Sequence, residues 1–343
     1  MVELLAREPS FVPDVYFSQG YGGVDAVDRG SAWRTIADAS GAWQMPLVLA
    51  ELGEGLSDAT SPYGYSGVHI AEEMTIEDAV KAWESARTLL SRQGVVSLFL
   101  RFSPFDLGSV IIANKFGGLE VRRSGTTFLV RIDEPDLMWG RMQGRSRTAI
   151  RKARRHGIEG LVRPAIIDDI EPGSAFRTLY EATMTRVGAS AHYFFDDAYY
   201  SGLLEVLGDD LQIVEVRDPG DVVASALVMR HGDRVHYHLS GSDLDGSRLG
   251  ANSVLVWSIM EWCAESGVKL CHLGGGRTDR DGLALFKRSF GGEESEFHVG
   301  RAILDQAAYS RLTEFRAGQL RTTAAALHES GFFPAFRANP SVQ

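Results

Sequence analysis

Cationic side chains are concentrated between residues 141 and 157, where seven arginines and lysines occur without a single acid (RMQGRSRTAIRKARRHG). The whole chain is acidic, with a formal net charge of −10. So dense a run of like charge is unfavourable unless an anionic group lies against it part of the time. The run predicts a face that binds phosphates of a nucleic acid, a nucleotide or a lipid surface, and a merely solvated helix face is the alternative.

The apolar and small residues of this run recur at steps of three and four, which predicts an amphipathic helix with one face on a core. The cations flank that face, and Gly157 would end the helix in a left-handed conformation. Cations in the last turn also complement the helix dipole, so part of the cluster has a purely structural explanation. The candidate phosphate-binding residues on this helix are Arg147, Arg151, Lys152 and Arg154.

A second candidate anion site is SRLGAN (247–252), which precedes a helix predicted from Asn252. Small residues such as Gly250 allow backbone N–H groups to point at an anion, and the helix N-terminus adds positive potential. Arg248 would add a charge. Close packing of the loop on a helix is the alternative explanation of the glycine.

A glycine turn follows a predicted buried strand at HLGGG (272–276) and leads into a helix over 281–290. The carboxyl ends of such strands commonly bind ligands, which makes the turn residues candidates: Gly274, Gly275 and Gly276. Leu283, Phe286 and Phe290 have core spacing, and Lys287 lies off that stripe. A lysine here can offer a fixed charge to an oxyanion or phosphate, although spacing alone favours an ordinary surface lysine.

Aromatic residues and histidines cluster in AHYFF (191–195) and HYHLSG (236–241). Strand alternation puts His236 and His238 on one face and Tyr237 on the other. A histidine pair of this spacing can bind metal, but buried, hydrogen-bonded histidines are the favoured interpretation, and no metal site is predicted. Tyr193 and Tyr237 are candidates for lining a pocket.

The predicted elements describe a mixed α/β protein. Strands are expected at 46–52, 95–102 and 125–132 with helices at 76–91 and 107–116, then helices at 174–187 and 196–207. A meander over 211–217, 221–231 and 233–241 continues through a loop at 242–251 into a helix, a strand over 268–276, a helix, a strand over 295–304 and two C-terminal helices. Antiparallel strands followed by a βαβ unit indicate a mixed sheet.

Length and composition set broad limits. The 343 residues suffice for two domains, and the apolar and charged fractions are those of a soluble globular protein. No apolar run approaches the roughly 20 residues of a membrane span, and the N-terminus lacks the features of a signal peptide. Cys263 and Cys271 suit a reduced interior, so we expect a cytoplasmic protein.

The order of motifs resembles the FemAB/FemX-type aminoacyltransferases, a branch of the GNAT acyltransferase superfamily. The resemblance covers about residues 125–312. The motifs that carry it are R-x-x-I-R-K-A-x-x-x-G-I (147–158), Y-x-x-T-M (180–184), Y-x-F (193–195), YHLSGS (237–242), LGAN (249–252), HLGGG (272–276), FKRSFG (286–291) and F-x-V-G-R (297–301).

The resemblance implies two GNAT-like domains in tandem, each a mixed central sheet flanked by helices. Residues 1–134 would form a degenerate N-terminal domain and 135–304 the acyltransferase domain, with 305–343 forming helices that pack back on the first. The implied activity is transfer of an aminoacyl group from aminoacyl-tRNA to an amine on a cell-wall peptide precursor or natural-product intermediate. The chain lacks the long heptad segment that several larger members carry.

The resemblance also places Phe286 and Lys287 near the reacting ester, which overrides the surface interpretation of the lysine. Lys287, with backbone N–H groups of the glycine turn, would stabilise the oxyanion, while Asp279, Asp281 and His238 are all open as proton acceptors. The expected partners are tRNA and a small amine or peptide acceptor, with no tightly bound cofactor. The alternatives are an acyl-CoA-dependent N-acyltransferase that holds pyrophosphate at SRLGAN, and a non-catalytic binder of nucleic acid or anionic surfaces.

Overall fold

The computed structural model describes residues 2–276 and 278–339. Its contacts divide the chain into two compact units: residues up to 124 together with those from 297 onward, and residues 125–296. Both divisions fall inside long strands, ten residues before the expected boundary at 134 and eight before that at 304. Among the described residues, no helix combines the length and apolar character that a bilayer crossing requires.

The elements of the first part alternate short strands with helices. They are β1 (Val2–Leu5), α1 (Gln19–Asp28), β2 (Ala32–Asp38), β3 (Trp43–Gly53), β4 (Leu56–Thr60), β5 (His69–Ile70), α2 (Ile76–Arg92), β6 (Val95–Arg101) and α3 (Leu107–Ala113).

The middle of the chain carries most of the candidate site residues. Its elements are β7 (Glu120–Arg131), α4 (Pro135–Arg141), α5 (Gly144–Arg155), β8 (Glu159–Pro164), α6 (Ile167–Ile170), α7 (Ala175–Arg186), α8 (Asp197–Leu207), β9 (Leu211–Asp218), β10 (Asp221–His231), β11 (Arg234–Ser242), α9 (Leu244–Leu249), α10 (Ala251–Glu265), β12 (Leu270–Gly275), α11 (Gly282–Arg288) and β13 (Glu293–Ile303). Two helices follow, α12 (Gln306–Gln319) and α13 (Ala324–Glu329).

In the first unit the strands run in the order β1-β2-β3-β4-β6-β13, and β4 and β6 are parallel. The Thr75 hydroxyl accepts the N–H of Asp78 and starts α2, whose buried residues recur at helical spacing. Helices α12 and α13 contribute Ala308, Tyr309 and Leu327 to a core cluster with Val96 of β6. The C-terminal helices therefore pack within the first unit.

In the second unit the order is β7-β12-β11-β10-β9-β8, with only the β11–β12 pair parallel among the described neighbours. Most of helix α10 is buried, because it lies in the core against alternate residues of β10. Helix α7 crosses β11 at Gly241, where a Cβ atom would lie 2.2 Å from the carbonyl carbon of Leu179. The predicted mixed α/β sheet flanked by helices is confirmed.

Two local predictions were wrong. The helix expected from residue 141 is interrupted, because α4 ends at Arg141 and Met142 and Gln143 are extended before α5 begins. The loop expected over 242–251 contains α9, since the Asp243 carboxylate accepts the N–H of Gly246 and starts a helix there.

The two units repeat one sequence of elements. In each, an antiparallel hairpin (β3–β4 or β10–β11) leads through a long helix (α2 or α10) to a strand parallel to the second strand of the hairpin. A short helix then begins at an aspartate cap, Asp106 before α3 and Asp281 before α11. This repetition is the tandem arrangement that the resemblance implied.

Candidate functional site

The parallel strands β11 and β12 separate after a pair of histidines, and we call them the parted strands. Their shared register runs from Arg234↔Leu270 to His236↔His272. Strand β12 then continues in register with β7 as far as Gly275, and β11 continues with β10. His238 is the extra residue of a bulge in β11, which increases the local bend. The separation leaves the following strand ends and the glycine turn partly exposed.

Lys287 is buried, contrary to the prediction from spacing. The carboxylate of Asp281 accepts the N–H of Ala284 and starts α11, which is only seven residues long. Its buried residues are Ala284 and Lys287, whereas Leu283 is 47% exposed. Of the predicted core stripe, Phe290 is buried and Phe286 packs on the core, whereas the prediction for Leu283 was wrong because it assumed a longer helix.

The ammonium group of Lys287 has two neighbours in the parted strands. Nζ donates a hydrogen bond of 2.8 Å to the carbonyl oxygen of Gly275, and it lies over the Tyr237 ring. Burial lowers the pKa of Lys287 to about 8, and the charge of Asp281 opposes that effect. At neutral pH the side chain therefore carries a positive charge held in a poorly solvated place.

The glycine turn leaves no room for larger residues. Gly274 has φ +70, in the left-handed region. A Cβ atom on Gly275 would lie 2.6 Å from the carbonyl oxygen of Thr126, and one on Gly276 would lie 2.3 Å from Oδ1 of Asp281. The three glycines are therefore required by the chain's own packing, whatever they do for a ligand.

Phe286 is partly buried and packs against the core of the second unit. Its ring meets that of Phe290 edge to face, with centroids 5.1 Å apart. This contact fixes α11 and hence the direction of the neighbouring Lys287 side chain.

The histidines of β11 are hydrogen-bonded, as predicted. Nδ1 of His236 lies 3.2 Å from Nδ1 of His272, and Nε2 of His238 lies 2.8 Å from the hydroxyl oxygen of Tyr199. Burial lowers the pKa of His238 to about 3, and burial together with His236 and Lys287 holds the pKa of His272 well below its ordinary value. Both imidazoles are therefore neutral at physiological pH.

His272 and Tyr199 were not predicted as site residues. His272 stands in HLGGG, but its contact with His236 depends on the parallel register of β11 and β12, which the sequence does not specify. Tyr193, predicted to line a pocket, is partly buried: its carbonyl oxygen accepts the hydroxyl of Tyr180 at 2.7 Å, and its ring packs on His192.

Several candidate cations have partners within the protein. Nη1 of Arg147 donates to the carbonyl oxygens of three residues around the end of α4, at 2.9–3.2 Å. Arg154 forms an ion pair of 2.8 Å with Glu261, and Arg248 one of 2.9 Å with Asp245. Glu261, distant in sequence, thus neutralises part of the charge of the basic run, and Asp245 neutralises that of Arg248.

Arg145 donates to the carbonyl oxygen of Leu285, and the other three cations of α5 face solvent. The guanidinium of Arg151 lies over the Trp139 ring at 5.2 Å from its centroid, and Trp139 in turn meets Trp257 edge to face. Lys152 and Arg155 are exposed on the same helix. An exposed cationic face of α5 therefore exists, made by Arg151, Lys152 and Arg155.

The SRLGAN segment is packed rather than open. Gly250 has φ +99, and its N–H donates to the carbonyl oxygen of Ser247 at 3.2 Å. A Cβ atom on Gly250 would lie 3.0 Å from the carbonyl oxygen of Ala149 on α5. The side chain of Asn252 also donates to the Ser247 hydroxyl at 2.6 Å. The packing explanation of Gly250 therefore accounts for its geometry.

Residues 142–288 match the family model described as the acetyltransferase (GNAT) domain. This segment is a GNAT-type acyltransferase domain. It contains α5, the parted strands and Lys287. Comparison with the curated proteins finds no significant match.

Solved structures of similar fold extend the likeness beyond that domain. The structure of FemX is 14% identical, with a TM-score of 0.69, over 87% of this chain and 94% of that one. The C-terminal domain of a putative lysylphosphatidylglycerol synthetase from Agrobacterium fabrum is 17% identical, with a TM-score of 0.54, over 84% and 92%. A tandem GNAT protein from the clavulanic acid biosynthesis pathway is 12% identical, with a TM-score of 0.51, over 89% and 99%.

The family model confirms the predicted GNAT acyltransferase domain over residues 142–288, and the solved structures confirm the tandem fold. At these identities the solved structures show the fold alone. They do not identify the acyl donor, the acceptor or the roles of individual residues.

Proposed function

We propose that the protein forms an amide bond by transferring an aminoacyl group from aminoacyl-tRNA to an amine acceptor, on a cell-wall peptide precursor or a natural-product intermediate. The observation that carries the proposal is the buried ammonium of Lys287 beside the glycine turn, at the place where β11 and β12 separate. A fixed cation in a poorly solvated site suits a reaction that develops negative charge on oxygen.

In the proposed reaction the neutral amine attacks the ester carbonyl carbon of the donor. A C–N bond forms, and the carbonyl oxygen becomes an oxyanion that Lys287 stabilises. The C–O bond to the ribose then breaks, and the proton lost by the amine ends on the released ribose hydroxyl. Phe286 positions α11 for this role. Holding ester and amine together supplies the rest of the acceleration.

We assign the donor's phosphates to the exposed cationic face of α5. Arg151 and Lys152 offer charge to solvent, while Arg147 and Arg154 are engaged with the protein itself. An acidic protein of net charge −10 can contact a polyanion only where its cations are locally concentrated. Charged tRNA as donor places the reaction in the cytoplasm.

The second candidate function is acyl-CoA-dependent N-acylation, which the acetyltransferase family model favours. A pyrophosphate at SRLGAN would need backbone N–H groups that point outward. Gly250, however, donates its N–H to Ser247 and packs on α5. This packing takes the Gly250 N–H away from a pyrophosphate site, whereas the exposed cations of α5 are open to tRNA phosphates, so we rank CoA second. The match to an enzyme family also makes a non-catalytic binder the weakest of the three alternatives.

The deciding experiment offers both donors to the same protein. Purified tRNAs charged with labelled amino acids, and separately a set of acyl-CoA thioesters, are incubated with a panel of amines and short amine-bearing peptides. We expect label from aminoacyl-tRNA in an amide product, with turnover about 100-fold or more lower for Lys287→Ala. Consumption of CoA thioesters alone would refute the proposed donor, and wild-type turnover by Lys287→Ala would refute the role of the lysine.

A further inference from the structure

Asp281 joins the glycine turn to the helix that carries Lys287. Its Oδ1 atom accepts the N–H of Ala284 at 2.7 Å, and its Oδ2 atom accepts the N–H of Thr278 at 2.9 Å. The same carboxylate fills the space beside Gly276, where a Cβ atom would lie 2.3 Å from Oδ1. One side chain therefore fixes both the start of α11 and the end of the turn.

Lys287 holds the same turn from the other side. Its Nζ donates to the carbonyl oxygen of Gly275, the residue before the glycine that abuts Asp281. Asp281 and Lys287, at opposite ends of α11, thus contact the adjacent turn residues Gly276 and Gly275. Displacing either side chain would release the turn and shift the other, because α11 has only seven residues.

The titratable groups around Lys287 come from three elements. Asp281 belongs to the start of α11, His272 to β12 and Tyr237 to β11. His272 is neutral because its pKa is held well below the ordinary value, and burial raises the pKa of Tyr237 to about 12, so it is neutral too. Among these three neighbours, Asp281 is the one whose charge favours the protonated lysine.

We propose that Asp281 is a positioning residue for acyl transfer, which locks the glycine turn against α11 and keeps Lys287 in place as a cation. The proposal rests on the proposed role of Lys287 at the oxyanion. It also removes Asp281 from the open set of proton acceptors, because both of its carboxylate oxygens already accept backbone N–H groups.

The test reads the charge of Lys287 directly. The chain contains five lysines, so the full protein with ¹³C-labelled lysine gives few Cε signals, and the Lys287 signal is assigned by its loss in Lys287→Met. Asp281→Asn keeps a side chain that can cap the helix and removes the charge. We expect the titration midpoint of Lys287 to move to lower pH by about one pH unit in Asp281→Asn.

Asp305→Asn is the matched control. Asp305 caps α12 by accepting the N–H of Ala308 at 2.9 Å, and it belongs to the first unit. The Lys287 midpoint should stay unchanged in this variant. If Asp281→Asn fails to fold by circular dichroism, Asp281→Ser restores a capping hydroxyl without charge and is expected to show the same downward shift.

Activity supplies the second measurement. With aminoacyl-tRNA as substrate, Asp281→Asn should lower kcat about fivefold at pH 8, because a midpoint one unit lower leaves about a tenth of Lys287 protonated instead of about half. KM should stay nearly unchanged, because the proposed role of the cation is to stabilise the transition state. A Lys287 midpoint that stays in place or rises in a folded Asp281 variant overturns the proposal. A midpoint that falls in a protein inactive with every aminoacyl-tRNA refutes the proposed function instead and leaves the link between the two residues intact.

Discussion

The ammonium nitrogen of Lys287 lies 5.8 Å from the centroid of the Tyr237 ring, within the range of a cation–π contact. That contact and one hydrogen bond replace the water that an exposed lysine would have. The replacement is incomplete, because burial lowers the pKa of Lys287 to about 8 against the opposing charge of Asp281. The folded protein therefore keeps an unfavourable charge at the site, and several measurable consequences follow.

Replacing that charge should stabilise the fold. The lysine pKa is about 8 when folded and near its ordinary value when unfolded, a difference worth about 3 kcal/mol against the folded state at pH 7. Loss of the hydrogen bond in Lys287→Met costs about 1 kcal/mol, so the free energy of unfolding should rise by about 2 kcal/mol in total. The penalty is complete below pH 8 and disappears as the pH rises through the unfolded pKa.

Urea unfolding of Lys287→Met at pH 7 and pH 10 checks this, with a smaller gain at the higher pH. Lys152→Met, on the exposed face of α5, serves as the control and should change stability by less than about 0.5 kcal/mol. A Lys287→Met protein that is less stable than wild type at pH 7 would show that the burial of the lysine costs the fold nothing.

The rate of acyl transfer should fall as the pH rises through about 8, because in the proposed mechanism the protonated Lys287 stabilises the oxyanion. The measurement is kcat between pH 6 and 10, with an acceptor amine that is neutral over that range so that its own titration is silent. Lys287→Arg, which keeps its charge throughout, should lose this decline. A rate that climbs through pH 8 in the wild type alone would assign the lysine a role as base.

Donor binding should depend on salt through the exposed cations of α5. Arg151→Glu or Lys152→Glu should raise KM for charged tRNA and lower the slope of log KM against log salt by about 1. Arg154→Gln is the matched control, since Arg154 is already paired with Glu261 and should change the slope little. Equal effects of all three substitutions would mean that α5 acts through its total charge.

Arg147 is expected to matter for stability rather than for binding. Its Nη1 donates to the carbonyl oxygens of Trp139, Gly140 and Met142, which end α4. Arg147→Ala leaves those groups without this donor and should cost about 1–2 kcal/mol in urea unfolding. If Arg147→Ala instead raises KM in a salt-dependent way and leaves stability unchanged, Arg147 binds donor phosphates.

Periodic patterns predicted much of the fold, since the meander, the long helix after it and the glycine turn all have local signals. Contacts between residues far apart in sequence could not be predicted in this way. The pairing of Arg154 with Glu261 joins residues far apart in sequence, and the burial of Lys287 depends on how short α11 is. Helix α9 was missed because its cap, Asp243, stands in a segment rich in turn-forming residues.

The recurring aspartate-capped helix has an evolutionary consequence. Asp106 accepts the N–H of Ser109 just as Asp281 accepts that of Ala284, and the residue six positions after each is Ile112 in the first unit and Lys287 in the second. Ile112 packs against an apolar core. The same capped helix thus accommodates a hydrocarbon side chain or a buried cation at this position, so two copies of the module can diverge in chemistry while keeping one fold.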